Sequence, residues 1–152
     1  MADLTTTITE NVVINNTSRG STNTLTISNI TSIFERILTC AHSQITTIAE
    51  FNTSNHAAES AIDLDDVRYV RVTNQSETQE IILGIITTSS TNYQVRLSAG
   101  ASHILCQGAD VAVAEADGDP AMASMTNDLV AIEVKPVATT DCSVEVFIAS
   151  IN

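Results

Sequence analysis

Glu115, Asp117 and Asp119 alternate around Gly118 in the segment EADGDPAMASMTND, the one region where a chemical site can be argued. Oxygen donors at i, i+2 and i+4 in a glycine-containing loop could converge on a hard cation such as Ca²⁺. The match stops there. A twelve-residue Ca²⁺ loop closes with a bidentate Glu, and position 126 is Thr. A solvated acidic loop is the expectation, with metal binding at these three residues as the weaker alternative. Asp63, Asp65 and Asp66 form a second acidic cluster just before a strand, where aspartates commonly serve turns.

Other chemistry is harder to find. His42, His56 and His103 lie far apart, with no ligand-spaced Cys or His beside them. His103 falls inside a strand-like run and is expected to be a satisfied structural histidine. There is no Gly-x-Ser-x-Gly elbow. The five glycines form no phosphate-binding cluster. Cys40, Cys106 and Cys142 are odd in number, widely spaced and without a Cys-x-x-Cys pair, so they are expected to be small apolar core residues with free thiols. No catalytic residue, no cofactor and no enzymatic activity are predicted.

Composition narrows the classes further. Eighteen acidic residues against six basic ones give a net charge of -12. A field of that sign repels phosphate backbones and anionic lipid, so neither nucleic acid nor membrane is expected as a partner. MADLTTTITENVV has neither the basic nor the apolar part of a signal peptide. No apolar run approaches the roughly 18 residues of a membrane helix. Folding in a reducing cytoplasm is the expectation. Aromatic residues are 3% and Trp is absent, so the core must be aliphatic.

The elements that would position any site are strands. Ser and Thr supply about a quarter of the chain, suiting strands and turns. Asp66 to Cys106 holds four short strands separated by polar turns. Val70 and Val72, then Tyr93, Val95 and Leu97, alternate with polar neighbours, the period of a half-buried strand. IILGII, Ile81 to Ile86, is apolar on both faces, as an inner strand would be. Leu4 to Ile14 is strand-like, Asn15 to Asn23 is a polar turn region, and Leu25 and Ile27 mark a short strand. Ile45 to Phe51 is another. Ser32 to Ala41 fits a helix by capping and spacing, but its strand neighbours favour a strand. Val130, Ile132 and Val134 alternate, as do Cys142, Val144, Val146 and Ile148. About ten short strands predict an all-β fold: one β-sandwich domain of jelly-roll type over residues 1–152, with an extended N-terminal arm over about residues 1–10.

RYVRVTN, the apolar strand after it and YQVRLSAGASHIL resemble segments of small β-rich virion proteins of tailed bacteriophages. TTTITENVVIN, ISNITSIFERILT and the closing VEVFIAS extend the resemblance over most of the chain. It implies an all-β structural subunit of the virion and carries no functional residue. Small size and charge favour a decoration or cement protein on the outer capsid surface. Its expected partners are the major capsid protein and copies of itself, as a trimer on symmetry grounds. A tail, neck or fibre component is the alternative in the same class. A Ca²⁺-dependent carbohydrate-binding module is the alternative from another class. The expected contacts are Ala2, Asp3, Leu4, Thr5, Thr6, Thr7, Ile8 and Thr9, a Thr-rich segment with the propensity to add to a neighbour's sheet edge.

Overall fold

Alternation decides which side chains go inside. On the last strand Cys142, Val144, Val146 and Ile148 are all buried, and on the strand before it Ile132 and Val134 are fully so. Beside them in their respective sheets lie Ile81, Leu83 and Ile85, and Val70 and Val72. These residues form one aliphatic layer between two sheets, the spacing expected when each strand sends every second side chain inward.

The computed structural model describes residues 1–52, 62–88, 92–106 and 128–151. It contains thirteen strands among those residues: β1 (Ala2–Thr9), β2 (Val12–Ile14), β3 (Thr17–Arg19), β4 (Thr22–Ile30), β5 (Ser32–Cys40), β6 (Thr46–Asn52), β7 (Ile62–Asp63), β8 (Val67–Asn74), β9 (Ile81–Thr87), β10 (Tyr93–Leu97), β11 (Ser102–Cys106), β12 (Leu129–Pro136) and β13 (Cys142–Ser150). One 3-10 turn spans Leu64–Asp66. Asp63 caps it, its Oδ1 accepting from the Asp65 N–H at 3.1 Å, which is the turn role expected of that acidic cluster.

Two sheets make the sandwich. One runs β11-β8-β13-β5; the other runs β10-β9-β12-β6, with β7 added in parallel at its edge. Leaving β7 aside and counting the eight remaining strands in chain order, the sheets read 1-8-3-6 and 2-7-4-5. All of these pairings are antiparallel. That order is the jelly roll, two Greek keys wrapped around one core.

Ser32–Cys40 is a strand for a visible reason. Phe34, Leu38 and Cys40 turn inward to the core. Arg36 shares their face and places its guanidinium 4.8 Å above the Phe34 ring, so the one charge on that face is held by an aromatic surface. At the far end of β5, the His42 N–H donates to Asp141 Oδ1 at 2.9 Å, tying the strand's exit to the start of β13.

Asn74 is the fully buried polar residue among those described. Its amide Nδ2 donates to the carbonyls of Gln79 at 2.7 Å, Ser98 at 3.1 Å and Leu97 at 3.3 Å, and its Oδ1 accepts from the Ser76 N–H. It therefore pins the β8–β9 turn to the β10–β11 turn, with every polar atom partnered.

Candidate assembly surface

Residues 2–30 form a long two-stranded ribbon whose base rests on the sandwich. From Leu4↔Ile27 to Thr9↔Thr22 and on through Val12↔Arg19 to Ile14↔Thr17, the register stays constant. Asn15 and Asn16 make the two-residue turn, both with positive φ (52° and 60°), the geometry of a type I′ hairpin. The turn is therefore much shorter than the expected Asn15–Asn23 region, because Thr17–Arg19 pairs back as β3. An Asn-Asn pair after Val-Val-Ile was the local signal for it. Gly20 sits at φ 124°, and a Cβ there would collide with the Glu10 carbonyl, so only glycine keeps the two strands together at this point. At about 3.4 Å per residue, the ribbon is roughly 40 Å long.

The ribbon has two unlike faces. Thr5↔Thr26, Thr7↔Thr24 and Thr9↔Thr22 stack threonine pairs on one of them. The hydroxyls of Thr7 and Thr24 lie 3.3 Å apart, and Thr22 Oγ1 donates to Thr9 Oγ1 at 3.4 Å. By register the other face carries Leu4, Ile8, Leu25 and Ile27, then Val12 and Ile14 nearer the tip, interspersed with Thr6, Glu10, Thr17, Arg19, Ser21 and Asn23.

The base of this apolar face is seated. Leu4 and Ile27 pack against a cluster built from Ile30, Tyr69 and Ala149, with Ile104, Phe147 and Ile151 around it. These sit on the outer face of the β11-β8-β13-β5 sheet. Tyr69 and Phe147 meet edge to face, 6.1 Å between centroids. Arg71 lies over Phe147 at 5.7 Å and forks onto Glu145 at 3.0 and 3.2 Å. A groove of about 340 Å³ runs between Leu4–Ile8 of the ribbon and Arg71, Ser102 and Ile104 of the sheet.

Beyond that seat the apolar face is open. Ile8 is 50% exposed and Ile14 57%, and every residue of β2 and β3 is exposed. The same sheet has a second open apolar stretch on β5, its edge strand. Ile33 and Ile37 project outward and are 57% and 69% exposed. Exposed aliphatics gathered on an arm and on a sheet edge, rather than scattered, are the mark of an interaction surface.

Ala2–Thr9 is extended as expected, but as one half of a hairpin with Thr22–Ile30 rather than as a separate strand. Glu115, Asp117, Asp119 and His56 lie outside the described residues. Among the described residues, no group of three His, Cys, Asp or Glu is placed to hold a metal ion. His103 is partnered by Tyr93, its Nε2 3.4 Å from the phenol oxygen. Cys40 and Cys142 are buried free thiols, as expected, and they turn out to be cross-strand partners. Among the described residues, no helix is long and apolar enough to cross a membrane. The pairing of Arg71 with Glu145 and the open face of Ile33 and Ile37 were beyond sequence reasoning, since both depend on which strand neighbours which.

The chain matches no protein-family model, and neither a curated protein nor a solved structure shows significant similarity to it.

Proposed function

We propose that this protein is a structural subunit of a tailed-bacteriophage virion, a decoration or cement protein that reinforces the outside of the capsid. It works by assembly and turns over no substrate. The ribbon is the observation that carries this reading. An isolated two-stranded hairpin is at best marginally stable in water. Here one extends well past its seat and holds Ile8, Val12, Ile14 and Leu25 in solvent. Each such side chain would gain roughly 1.5–3 kcal/mol if fully buried. A rigid sandwich that offers an apolar arm is built to grip a neighbour. The acidic charge supports a location on the particle's outside, away from packaged nucleic acid.

The test is binding to particles. Purified protein is mixed with emptied heads of a tailed phage in whose particles mass spectrometry finds this chain, then separated on a gradient and imaged by electron cryo-microscopy. Density for the sandwich at symmetry-related positions on the head is the expected result. Density on the tail or neck would move the assignment there. No binding to any part of the particle, together with Ca²⁺-dependent binding to a glycan array, would replace this reading with a carbohydrate-binding one.

A further inference from the structure

We infer that the ribbon of one copy docks on a second copy of the same chain, its distal apolar face covering Ile33 and Ile37 on the outer face of β5. The inference rests on the assembly reading above and names the partner of that surface. Three observations point to a second copy.

The first is continuity. Leu4 and Ile27 already hold the base of the ribbon on the outer face of the β11-β8-β13-β5 sheet. The groove beneath Leu4–Ile8 runs along β8 and β11, and β11 is the sheet edge opposite β5. The seat extends over β13, whose Ala149 pairs with Ile33, and leaves Ile33 and Ile37 themselves uncovered. The ribbon's face continues outward through Ile8, Val12 and Ile14, while Ile33 and Ile37 remain open at the other edge. One molecule therefore carries an apolar arm and an apolar stretch of the kind of sheet face that the arm's base already binds.

The second is charge. The whole chain carries -12, so copies of it repel one another over most of their surface. Residues 2–30 hold two acids, Asp3 and Glu10, against one base, Arg19, a net of -1. On the receiving outer face of β5 the one charge is Glu35, between Ile33 and Ile37, since Arg36 lies on the inner face. The distal ribbon, where Glu10 and Arg19 cancel, can approach that face at low electrostatic cost.

The third is area. The free part of the ribbon face, Ile8 to Ile14, is about 24 Å long and about 10 Å wide and covers roughly 240 Å² on each partner. Two reciprocal docking events would bury about 1,000 Å² in total, the lower end of the range for a specific interface.

The experiment uses the full chain. Sedimentation velocity from micromolar to millimolar concentration should show self-association. Ile37→Asp and Ile14→Asp, both at exposed positions, should each weaken it about tenfold or more, the effect of a lost buried aliphatic contact, with the circular dichroism spectrum unchanged. Second, isotope-labelled Ile37→Cys protein is mixed with unlabelled Ile14→Cys protein and treated with a bis-maleimide. Cross-linked peptides joining position 14 of a light chain to position 37 of a heavy chain are the expected product. A protein that stays monomeric throughout, Asp variants that associate like the parent, or cross-links confined to single chains would each overturn the inference. Capsid binding by a strictly monomeric protein would overturn the arm exchange and leave the virion reading standing. Self-association through positions 14 and 37 without any binding to virions would do the reverse.

Discussion

Cys40 and Cys142 stand directly opposite each other across β5 and β13, both buried in the core and both free thiols. Burial pushes each thiol's pKa above its ordinary 9.0. The nucleophilic thiolate is correspondingly scarce, and both cysteines should resist alkylation in the native protein and react readily once it unfolds. Peptide mapping after iodoacetamide treatment, with and without denaturant, checks this. The same shift fixes a pH dependence. A raised folded pKa means the native state holds its proton longer than the unfolded chain. Stability should be insensitive to these thiols below pH 9.0 and should fall as pH rises from there through the folded values. Equilibrium denaturation at pH 8 and at pH 10 should show the drop, and an unchanged midpoint would contradict it.

Asn74 is the second point at which the sandwich is sensitive. Asn74→Asp replaces an amide donor facing three carbonyls with a carboxylate that cannot donate to them. Asn74→Ala leaves those carbonyls with one partner fewer. Either change should cost about 2–4 kcal/mol, the scale of more than one unmet buried polar group. Urea denaturation followed by circular dichroism is the measurement, and a loss under about 0.5 kcal/mol, the level of an ordinary surface substitution, would show that Asn74 does not pin the two turns.

The two Arg–Glu pairs among the described residues should behave differently. Arg71 and Glu145 are mostly buried, bidentate and joined by Gln75, whose Nε2 donates to Glu145 at 2.9 Å. Arg96 and Glu80 meet at 3.3 Å with both side chains largely in solvent. Glu145→Ala should destabilise by about 1–3 kcal/mol, because it strands a partly buried guanidinium. Glu80→Ala should change stability by less than about 0.5 kcal/mol. Parallel thermal melts of the two variants decide it; equal losses would refute the contrast.

Much of the sandwich was legible in the sequence because its signal is local. Ile132 and Val134, and Cys142, Val144, Val146 and Ile148, turned inward as their alternation indicates, while at Val130 a register irregularity intervenes and Leu129 packs on the core instead. Ser32–Cys40 was ambiguous because Ser32 and Glu35 have capping-box spacing and Ile33, Ile37 and Ala41 fall on one helical face; as a strand it puts Arg36 on the face of Phe34 and Leu38, and the cation–π contact that holds that charge forms only in the folded strand. The ribbon was half legible. Its threonines and the Val-Val-Ile run announced strands. The pairing that makes it one hairpin hung on two asparagines at positive φ, and asparagine is also common in ordinary loops. Nothing local could show that Ile33 and Ile37 face outward, since that depends on β5 being an edge strand with its far face uncovered.

Gly20→Ala separates arm from body. The new methyl would meet the Glu10 carbonyl at a backbone angle that side chains avoid, so the ribbon should splay near its middle while the sandwich keeps its melting temperature. Self-association should weaken in step. A variant that assembles like the parent would show that the distal ribbon has no part in it.

Whether the ribbon works as an assembly surface is read amide by amide in hydrogen–deuterium exchange. Amides of residues 8–25 are compared in dilute protein and in assembled protein, with the β13 amides as an internal reference. In the dilute state the distal ribbon should exchange far faster than β13, having only a two-stranded ladder to protect it. On assembly its exchange should slow markedly, with matching protection at Ile33 to Ile37 and little change in β13. Equal exchange of the distal ribbon in the two states would contradict its role as an assembly surface.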